Sequence, residues 1–335
     1  MELAQLVLNG DRLALARLLS RVENATPEGL AALDALFPHT GKAHLLGVTG
    51  APGTGKSSLV NQLALHYRKQ DKKVAIVAVD PSSPFTGGAV LGDRVRMRDL
   101  AGDSGVFIRS MASRGSLGGL AQATAGVVQV FDAAGFDIII IETVGAGQSE
   151  VDIARLAHTT LVVEAPGLGD DIQAIKAGIL EIADILVINK ADNPAVDSTE
   201  RALKTMLELA HPVKRVFQHH GQAFEVPAHE NGHENGRPLW IPLIRRTVAT
   251  EAKGLPELLE AIATHVAYLR ESGDWARREE ARLEAEFDLL LREKLVEHFR
   301  RQVPEKIVSD LFAETLARRL SPREAIGQLL QRMKL

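Results

Sequence analysis

The stretch with the clearest chemistry is a glycine-rich loop that reads Gly-Ala-Pro-Gly-Thr-Gly-Lys-Ser from residue 50 to residue 57 and matches the pattern GxxxxGKS. The apolar run from Leu45 to Thr49 precedes it and a helix-like segment follows Ser57, which is the context of a phosphate-binding P-loop. Glycines let the backbone point its N–H groups toward an anion, and the positive end of the following helix strengthens that site. We predict that Lys56 contacts the β and γ phosphates and that the Ser57 hydroxyl binds Mg2+. The residues predicted to bind nucleotide phosphates are Gly50, Ala51, Pro52, Gly53, Thr54, Gly55, Lys56, Ser57 and Ser58.

A second motif, Asn-Lys-Ala-Asp from residue 189 to residue 192, follows an apolar run and matches the base-reading pattern NKxD. An ionised Asp192 can accept two hydrogen bonds from guanine, whereas adenine lacks that pair of donors. Because charge-assisted hydrogen bonds contribute about 1.5 to 3 kcal/mol each, the motif favours guanine by orders of magnitude. The tripeptide at 247–249 ends the next predicted strand, where a backbone N–H could meet the guanine carbonyl, although a plain strand end explains it nearly as well. The residues predicted to contact the base are Asn189, Lys190, Asp192, Thr247, Val248 and Ala249.

Acidic residues at the ends of predicted strands are candidates for a magnesium site. The apolar run from Ile138 to Ile141 leads directly into Glu142, where P-loop proteins place the acid that holds the metal directly or through water. Asp80 ends another predicted strand and Asp93 follows in a loop, and both suit outer positions around the ion. The alternatives are a turn cap for Asp80 and a solvated loop acid for Asp93. The predicted metal site consists of Ser57, Asp80, Asp93 and Glu142.

The residues after Glu142 are candidates for contact with the γ phosphate and the attacking water. The sequence Glu-Thr-Val-Gly at 142–145 stands where Ras-like GTPases carry DxxG. We predict that Gly145 donates its N–H to the γ phosphate and belongs to a switch. Gln148 could orient the water, or it could be an exposed amide in a loop. The predicted reaction is an in-line attack of water on the γ phosphate of GTP.

The order of apolar runs predicts the fold class. Apolar runs alternate with helix-like segments at 45–49, 74–80, 106–110, 138–142, 160–164 and 185–189, with a further candidate strand at 240–244. Runs that are apolar on both faces and separated by helices are typical of a mainly parallel sheet covered on both sides. Ligands bind such sheets at the carboxyl ends of the strands, where every motif above falls. We predict an α/β P-loop NTPase fold with helical arms at both ends.

Three regions follow from these patterns. We predict an N-terminal helical arm at 1–43, a P-loop GTPase domain at 44–271 and a C-terminal helical dimerisation arm at 272–335. The C-terminal apolar stripe, which includes Leu283, Phe287 and Leu295, packs either on its own chain or on a second copy. A His-rich stretch at 218–237 lacks periodicity and is predicted to be a loop insertion. Its histidines are candidates for a metal site, although their spacing matches no rigid one and a solvated loop is the alternative: His219, His220, His229 and His233.

Composition limits the class of protein. The 335 residues are 45% hydrophobic and 24% charged, which fits a folded chain with a sizeable core. A formal net charge of −4 gives no general attraction to nucleic acid or anionic membrane, so we expect neither as a partner. The chain has no cysteine, which excludes disulfides and thiolate metal sites and fits a reducing compartment. No apolar run approaches the roughly 20 residues of a membrane span and the first residues do not read as a signal peptide, so we expect a cytoplasmic protein.

The combined motifs resemble the MeaB/ArgK family of GTPases. The resemblance rests on the P-loop, the NKxD motif and the segments Asp-Pro-Ser-Ser at 80–83, Gly-Asp-Arg-Val-Arg-Met at 92–97, Met-Ala-Ser-Arg-Gly-Ser-Leu-Gly-Gly at 111–119 and Glu-Thr-Val-Gly-Ala-Gly-Gln-Ser-Glu at 142–150. It implies a homodimeric, magnesium-dependent GTPase that converts GTP to GDP and phosphate. It further implies a chaperone role toward an adenosylcobalamin-dependent acyl-CoA mutase, above all methylmalonyl-CoA mutase. This chaperone gates cofactor loading and protects or reactivates the mutase.

The resemblance also assigns roles to particular residues. It implies that Asp80, Asp93 and Glu142 surround the magnesium ion. It implies an additional switch from Ala165 to Lys176, in which Lys176 can reach the nucleotide or the partner. Because no arginine finger is evident, we expect slow intrinsic hydrolysis that the mutase accelerates. The alternatives are a metal-insertion GTPase and a small-molecule kinase linked to amino-acid transport.

Overall fold

The structure of the chain is a computed structural model. It describes residues 2–81, 98–100, 102–113, 119–143, 155–167, 182–210, 214–219, 222–227, 233–234 and 237–331. The strands in chain order are β1 His44–Thr49, β2 Val74–Pro81, β3 Val106–Ser113, β4 Ile138–Thr143, β5 Thr159–Glu164, β6 Ile185–Ile188, β7 Lys214–His219, β8 Gln222–Pro227, β9 His233–Glu234, β10 Arg237–Pro238 and β11 Leu243–Arg246. The helices are α1 Glu2–Leu8, α2 Arg12–Glu23, α3 Pro27–Leu36, α4 Lys56–Lys69, α5 Gly119–Ala133, α6 Val196–Ala210, α7 Leu255–Ser272, α8 Asp274–Gln302, α9 Glu305–Leu316 and α10 Pro322–Gln331.

A parallel sheet of seven strands lies at the centre, with the order β11-β6-β5-β1-β4-β2-β3. All of its neighbouring strands pair in parallel. The P-loop NTPase fold class predicted from the sequence is therefore confirmed. The last strand begins at Leu243, three residues later than predicted, because Pro242 has no N–H to donate to the ladder.

Helices cover both faces of the sheet because alternate side chains of each strand point to opposite sides. One core joins Ile139 and Ile141 of β4 to the N-terminal helices α1, α2 and α3 and to α5. A second core joins Ile138 and Ile140 to α4 and α7, and a third joins Leu186 and Ile188 of β6 to α6. Fully buried leucines such as Leu18 in α2 contribute about 1.5 to 3 kcal/mol each. The N-terminal helices are thus part of the central fold's packing.

The segment at 218–237, predicted to be an irregular loop, includes parts of two short antiparallel ribbons. Strand β7 pairs with β8, and β9 pairs with β10. The structure differs from the expectation because β-forming residues such as Phe224 and Val226 stand among the histidines and glycines of the segment.

The chain divides into two units, Met1–Glu279 and Glu280–Leu335. Helix α8 begins in the first unit and continues into the second. In the second unit α9 and α10 share a small core, formed by Val303, Leu311, Ala325 and Leu329. Pro304, which cannot continue a helix interior, marks the end of α8. Among the described helices, none has the combination of length and apolar character that a membrane crossing requires.

Candidate functional site

The glycines of the 50–57 loop are required by its shape. Gly50 has φ +137°, and a Cβ there would lie 2.1 Å from the carbonyl oxygen of Val163. Gly55 has φ +90°, and a Cβ there would lie 2.4 Å from Nδ2 of Asn189. Both conformations disfavour residues that carry a side chain. The loop therefore packs closely against β5 on one side and against the residue that follows β6 on the other.

Lys56 begins α4 and keeps its charged end inside the loop. Its Nζ donates to the carbonyl oxygens of Gly50, at 2.7 Å, and Ala51, at 2.8 Å. The residue is buried, so its charge acts in a weakly polar setting where electrostatic attraction is stronger than in water. Together with the positive end of α4, this ammonium makes the loop an anion site.

Ser57 and Glu142 meet at the carboxyl end of the sheet. The Ser57 Oγ donates to Oε1 of Glu142 at 2.7 Å, and both residues are buried. Parallel register places Glu142 opposite Val48, just before the loop begins. Next to them, Thr143 Oγ1 donates to Thr49 Oγ1 at 2.9 Å, which ties the end of β4 to the end of β1.

The chemistry of this pair fits magnesium. A hydroxyl oxygen and a carboxylate oxygen are the ligands that Mg2+ prefers, and one or two protein ligands suffice because water and phosphate oxygens complete the octahedron. Within the described part of the chain there is no group of three His, Asp or Glu residues that could hold a metal ion.

Asn189 connects the phosphate loop to the base-reading segments. Its Nδ2 donates to the carbonyl oxygen of Thr54 at 2.8 Å. Its Oδ1 accepts from Thr247 Oγ1 at 3.1 Å and from the Ala249 N–H at 3.0 Å. Its backbone N–H donates to Glu164 of β5 at 2.8 Å. One buried side chain thus fixes the ends of β1, β6 and β11 relative to one another.

A family model described as methylmalonyl-CoA mutase-associated GTPase MeaB matches residues 15–303, which include the P-loop, Glu142, the NKxD motif and 247–249. The chain belongs to this family. It is accordingly a GTPase, and the MeaB family implies that its nucleotide carries guanine.

Relatives of the chain support the assignment to the MeaB family. A Pyrococcus horikoshii protein that is named as a GTPase is 41% identical over 99% of this chain and 98% of its own length. The GTPase ArgK of Escherichia coli is 34% identical over 96% of this chain and 92% of its own. The mitochondrial methylmalonic aciduria type A homolog of mouse is 30% identical over 86% of this chain and 65% of its own. A crystal structure described as LAO/AO transport system kinase has a TM-score of 0.69 and 27% identity, and covers 98% of this chain and 96% of that one.

In this MeaB-family chain the three backbone N–H groups of 247–249 already have protein acceptors. Thr247 donates to Ile188, Val248 to Lys253 and Ala249 to Asn189. The structure gives this tripeptide the task of holding Asn189, and its predicted contact with the guanine carbonyl stays a prediction.

Lys190 and Asp192 are exposed just beyond the end of β6. Lys190 has φ +57°, and the N–H of Ala191 donates to the carbonyl of Thr247 at 3.0 Å, which holds this turn in place. Glu251, with a smaller contribution from Asp192, raises the pKa of Lys253.

Several predicted site residues have no described side chain. Asp80 lies near the end of β2, at the same edge of the sheet as Glu142, and its backbone pairs with Ala112. The other predicted positions that fall outside the described residues are Asp93, Gly145, Gln148 and Lys176, together with His220 and His229. His219 ends β7 and His233 begins β9.

A set of polar contacts at the opposite edge of the sheet was not predicted from the sequence. His44, Thr159 and Asp184 stand at the start of β1, at the start of β5 and directly before β6, and all are buried. Polar residues at the starts of apolar runs were the available signal. Their partners are far away in the sequence, so the signal alone could not show what they contact.

Proposed function

We propose that this chain is a GTP-hydrolysing G-protein chaperone. In this role it gates the loading of adenosylcobalamin into an acyl-CoA mutase such as methylmalonyl-CoA mutase, and it protects or reactivates that enzyme. The family description names methylmalonyl-CoA mutase as the associated protein. The observation that carries the proposal is two buried sets of contacts at the carboxyl ends of the strands: Asn189 joins the P-loop to 247–249, and Ser57 contacts Glu142.

The residues have distinct proposed tasks in hydrolysis. Lys56 and the backbone N–H groups of the loop would hold and neutralise the β and γ phosphates. Ser57 and Glu142, with Asp80 and Asp93, would hold a magnesium ion that screens the phosphate charge. Gly145, Gln148 and Lys176 would act on the γ phosphate or the attacking water. Asp192 would select guanine.

A homodimer formed by the C-terminal arm is also part of the proposal. In the single chain the arm exposes large apolar side chains, among them Phe287 at 66%, Phe312 at 62% and Leu316 at 69%. Exposed apolar surface of this extent is typical of a protein interface. The proposed location is the cytoplasm, which the absence of cysteine supports.

Steady-state GTP hydrolysis measured with and without methylmalonyl-CoA mutase tests the proposal. We expect slow hydrolysis by the chain alone and a clear acceleration by the mutase, with Lys56→Ala inactive in both. Loading of adenosylcobalamin into the apo-mutase should require GTP and the unmodified chain. A fast rate that the mutase does not alter, together with nucleotide-independent loading, would contradict the proposal.

A solute kinase is the second candidate, because the related crystal structure is described as a transport system kinase. Transfer of labelled γ phosphate from GTP to arginine or ornithine, with little release of free phosphate, would favour that function. Metal insertion remains a third alternative. It predicts stoichiometric nickel or zinc binding that is lost when residues 218–237 are deleted.

A further inference from the structure

A buried polar cluster lies at the amino-terminal edge of the sheet, opposite the nucleotide site. This amino-edge cluster consists of His44, His158, Thr159, Asp184, His265, Arg278 and Glu279. The first four come from the starts of β1, β5 and β6, His265 comes from α7, and the last two come from the first turns of α8. All seven belong to the first unit of the chain.

Asp184 is the centre of the cluster. Arg278 forms a two-pronged ion pair with it, with Nη1 2.9 Å from Oδ2 and Nη2 2.7 Å from Oδ1. The Thr160 N–H donates to Oδ2 at 2.8 Å, and Nε2 of His265 lies 3.2 Å from Oδ1. Burial by itself would raise the pKa of Asp184, but its contacts with His265 and Arg278 outweigh burial and lower the pKa to about 2. The carboxylate is therefore charged, and it holds α8 to the start of β6.

A second set of contacts holds the same turns of α8. The Leu45 N–H donates to Nδ1 of His158 at 3.0 Å, so the proton of His158 is assigned to Nε2, which faces Oε1 of Glu279 at 2.5 Å. Trp275 stacks on the His158 ring with centroids 3.9 Å apart. Arg278 Nη1 also donates to the His158 carbonyl at 2.8 Å.

The cluster contains a hydroxyl, an imidazole and a carboxylate in series, as the catalytic triad of a hydrolase does, but a substrate cannot reach these groups. Thr159 Oγ1 lies 3.0 Å from Nδ1 of His265, whose other ring nitrogen faces Asp184. Thr159 and His265 are both 0% exposed, so no substrate can reach them. These groups act on the structure of the chain and not on a ligand.

The four-residue strand β6 links this cluster to the guanine end of the sheet. Asp184 directly precedes the strand and Asn189 directly follows it. All four residues of β6 are 0% exposed, and the strand is paired with β5 on one side and β11 on the other. A close-packed strand held on both edges moves as a body and does not deform within itself. A displacement of its end at Asn189 therefore reaches Asp184.

We propose that β6 couples guanine-nucleotide binding to the first turns of α8 through the amino-edge cluster. The inference rests on the proposed function, because it requires guanine at Asn189 to Asp192. Nucleotide that seats against this turn shifts β6, and the Asp184–Arg278 pair passes the shift to α8. The first turns of α8, which belong to the same unit as the sheet, therefore respond to nucleotide occupancy.

The tryptophans of the chain provide a direct readout. The sequence contains two, and both touch the cluster: Trp275 stacks on His158, and Trp240 Nε1 donates to the Asp184 carbonyl at 2.8 Å. We expect the intrinsic fluorescence of the full chain to change when GDP with Mg2+ is added to the nucleotide-free chain. Trp275→Phe should reduce this change, because Trp275 stands on the α8 side of the cluster. Identical emission with and without bound GDP would overturn the inference.

Reciprocity gives a second measurement. If guanine-nucleotide binding alters the cluster, then Arg278→Met must alter the affinity for GDP, by about 2- to 30-fold for couplings of ordinary size. Arg277→Met is the matched control, because Arg277 is exposed and pairs at the surface with Asp274. A GDP affinity that is the same in both variants would contradict the coupling.

Folding and binding are checked separately. Arg278→Met removes the guanidinium that pairs with the buried Asp184 carboxylate, so this variant could fail to fold. In that case the double variant Asp184→Asn/Arg278→Met replaces it, because it removes both charges of the pair. Calorimetry of guanine nucleotide binding distinguishes a failure of the proposed coupling from a failure of the proposed function. Normal binding with unchanged fluorescence defeats the coupling alone, whereas absence of guanine binding defeats the proposed function.

Discussion

Replacing Asn189 with alanine tests whether one side chain assembles the nucleotide site. The change removes three buried hydrogen bonds, to the Thr54 carbonyl at 2.8 Å, the Thr247 hydroxyl at 3.1 Å and the Ala249 N–H at 3.0 Å. At about 0.5 to 1.5 kcal/mol per bond, the free energy of unfolding should fall by roughly 2 to 4 kcal/mol, and the buried partners left without a hydrogen bond push the loss toward the upper end. GTP affinity should fall as well, because the P-loop and the base-side segment lose their fixed spacing.

The matched control is Asn193→Ala, because Asn193 is exposed and makes a local contact with the Ala195 N–H. Urea denaturation gives the free energy of unfolding, and calorimetry with GTP and Mg2+ gives the affinity. We expect Asn189→Ala to weaken GTP binding by at least tenfold and Asn193→Ala to leave it unchanged. If the two variants have the same stability and the same GTP affinity, then Asn189 does not assemble the site as described.

Further predictions concern single groups. Lys56→Ala should abolish measurable GTP binding in calorimetry, and an unchanged affinity would remove Lys56 from the phosphate site. Asp192→Asn should shift preference from GTP toward xanthosine triphosphate in competition binding, and an unaltered preference would argue against guanine readout by Asp192. Gly50→Ala places a Cβ 2.1 Å from the Val163 carbonyl and should lower both stability and GTP affinity, whereas Gly10→Ala, with open space around it, should leave GTP affinity unchanged. Burial, and then the neighbouring His158, lower the pKa of His44 from 6.5 to about 3. Between these two pH values the unfolded chain binds a proton that the folded chain does not bind. The free energy of unfolding should therefore fall as the pH drops from 6.5 toward about 3, by up to about 1.4 kcal/mol per pH unit. Urea midpoints should show this slope in the unmodified chain and a smaller one in His44→Asn.

The parts of the site that could be predicted are those whose functional residues are neighbours in the sequence. In the P-loop, the glycines, Lys56 and Ser57 are neighbours, and the strand and helix that flank them have clear patterns. The NKxD motif is likewise contiguous. Glu142 was found because it directly follows four isoleucines that form a buried strand. The parallel sheet followed from the same alternation of apolar runs and helical segments.

The parts that could not be predicted depend on contacts between distant residues. No local pattern shows that Asn189 bonds to Thr54, which lies 135 positions earlier in the chain. The start of β11 was misplaced because apolar Trp240 and Ile241 read as strand, whereas Pro242 prevents pairing and the Trp240 indole instead bonds to Asp184. Ion pairs such as Asp184–Arg278 are also invisible in a sequence, since each residue alone reads as an ordinary surface charge.

The polar residues at the two ends of the central strands therefore differ in how far they can be interpreted from the sequence. At their carboxyl ends the polar residues occur in contiguous motifs, because phosphate and base must be met by loops that begin where each strand stops. At their amino ends the partners lie far apart in the sequence: His44 contacts Thr159, Thr159 contacts His265 of α7, and Asp184 contacts Arg278 of α8. The apolar middle of β1, β5 and β6 is what the two ends share. A substitution there that keeps volume, such as Val187→Thr, should disturb both ends together, because it places a hydroxyl in a site that is 0% exposed. Loss of GTP affinity without any change in tryptophan emission in that variant would show that the two ends are independent.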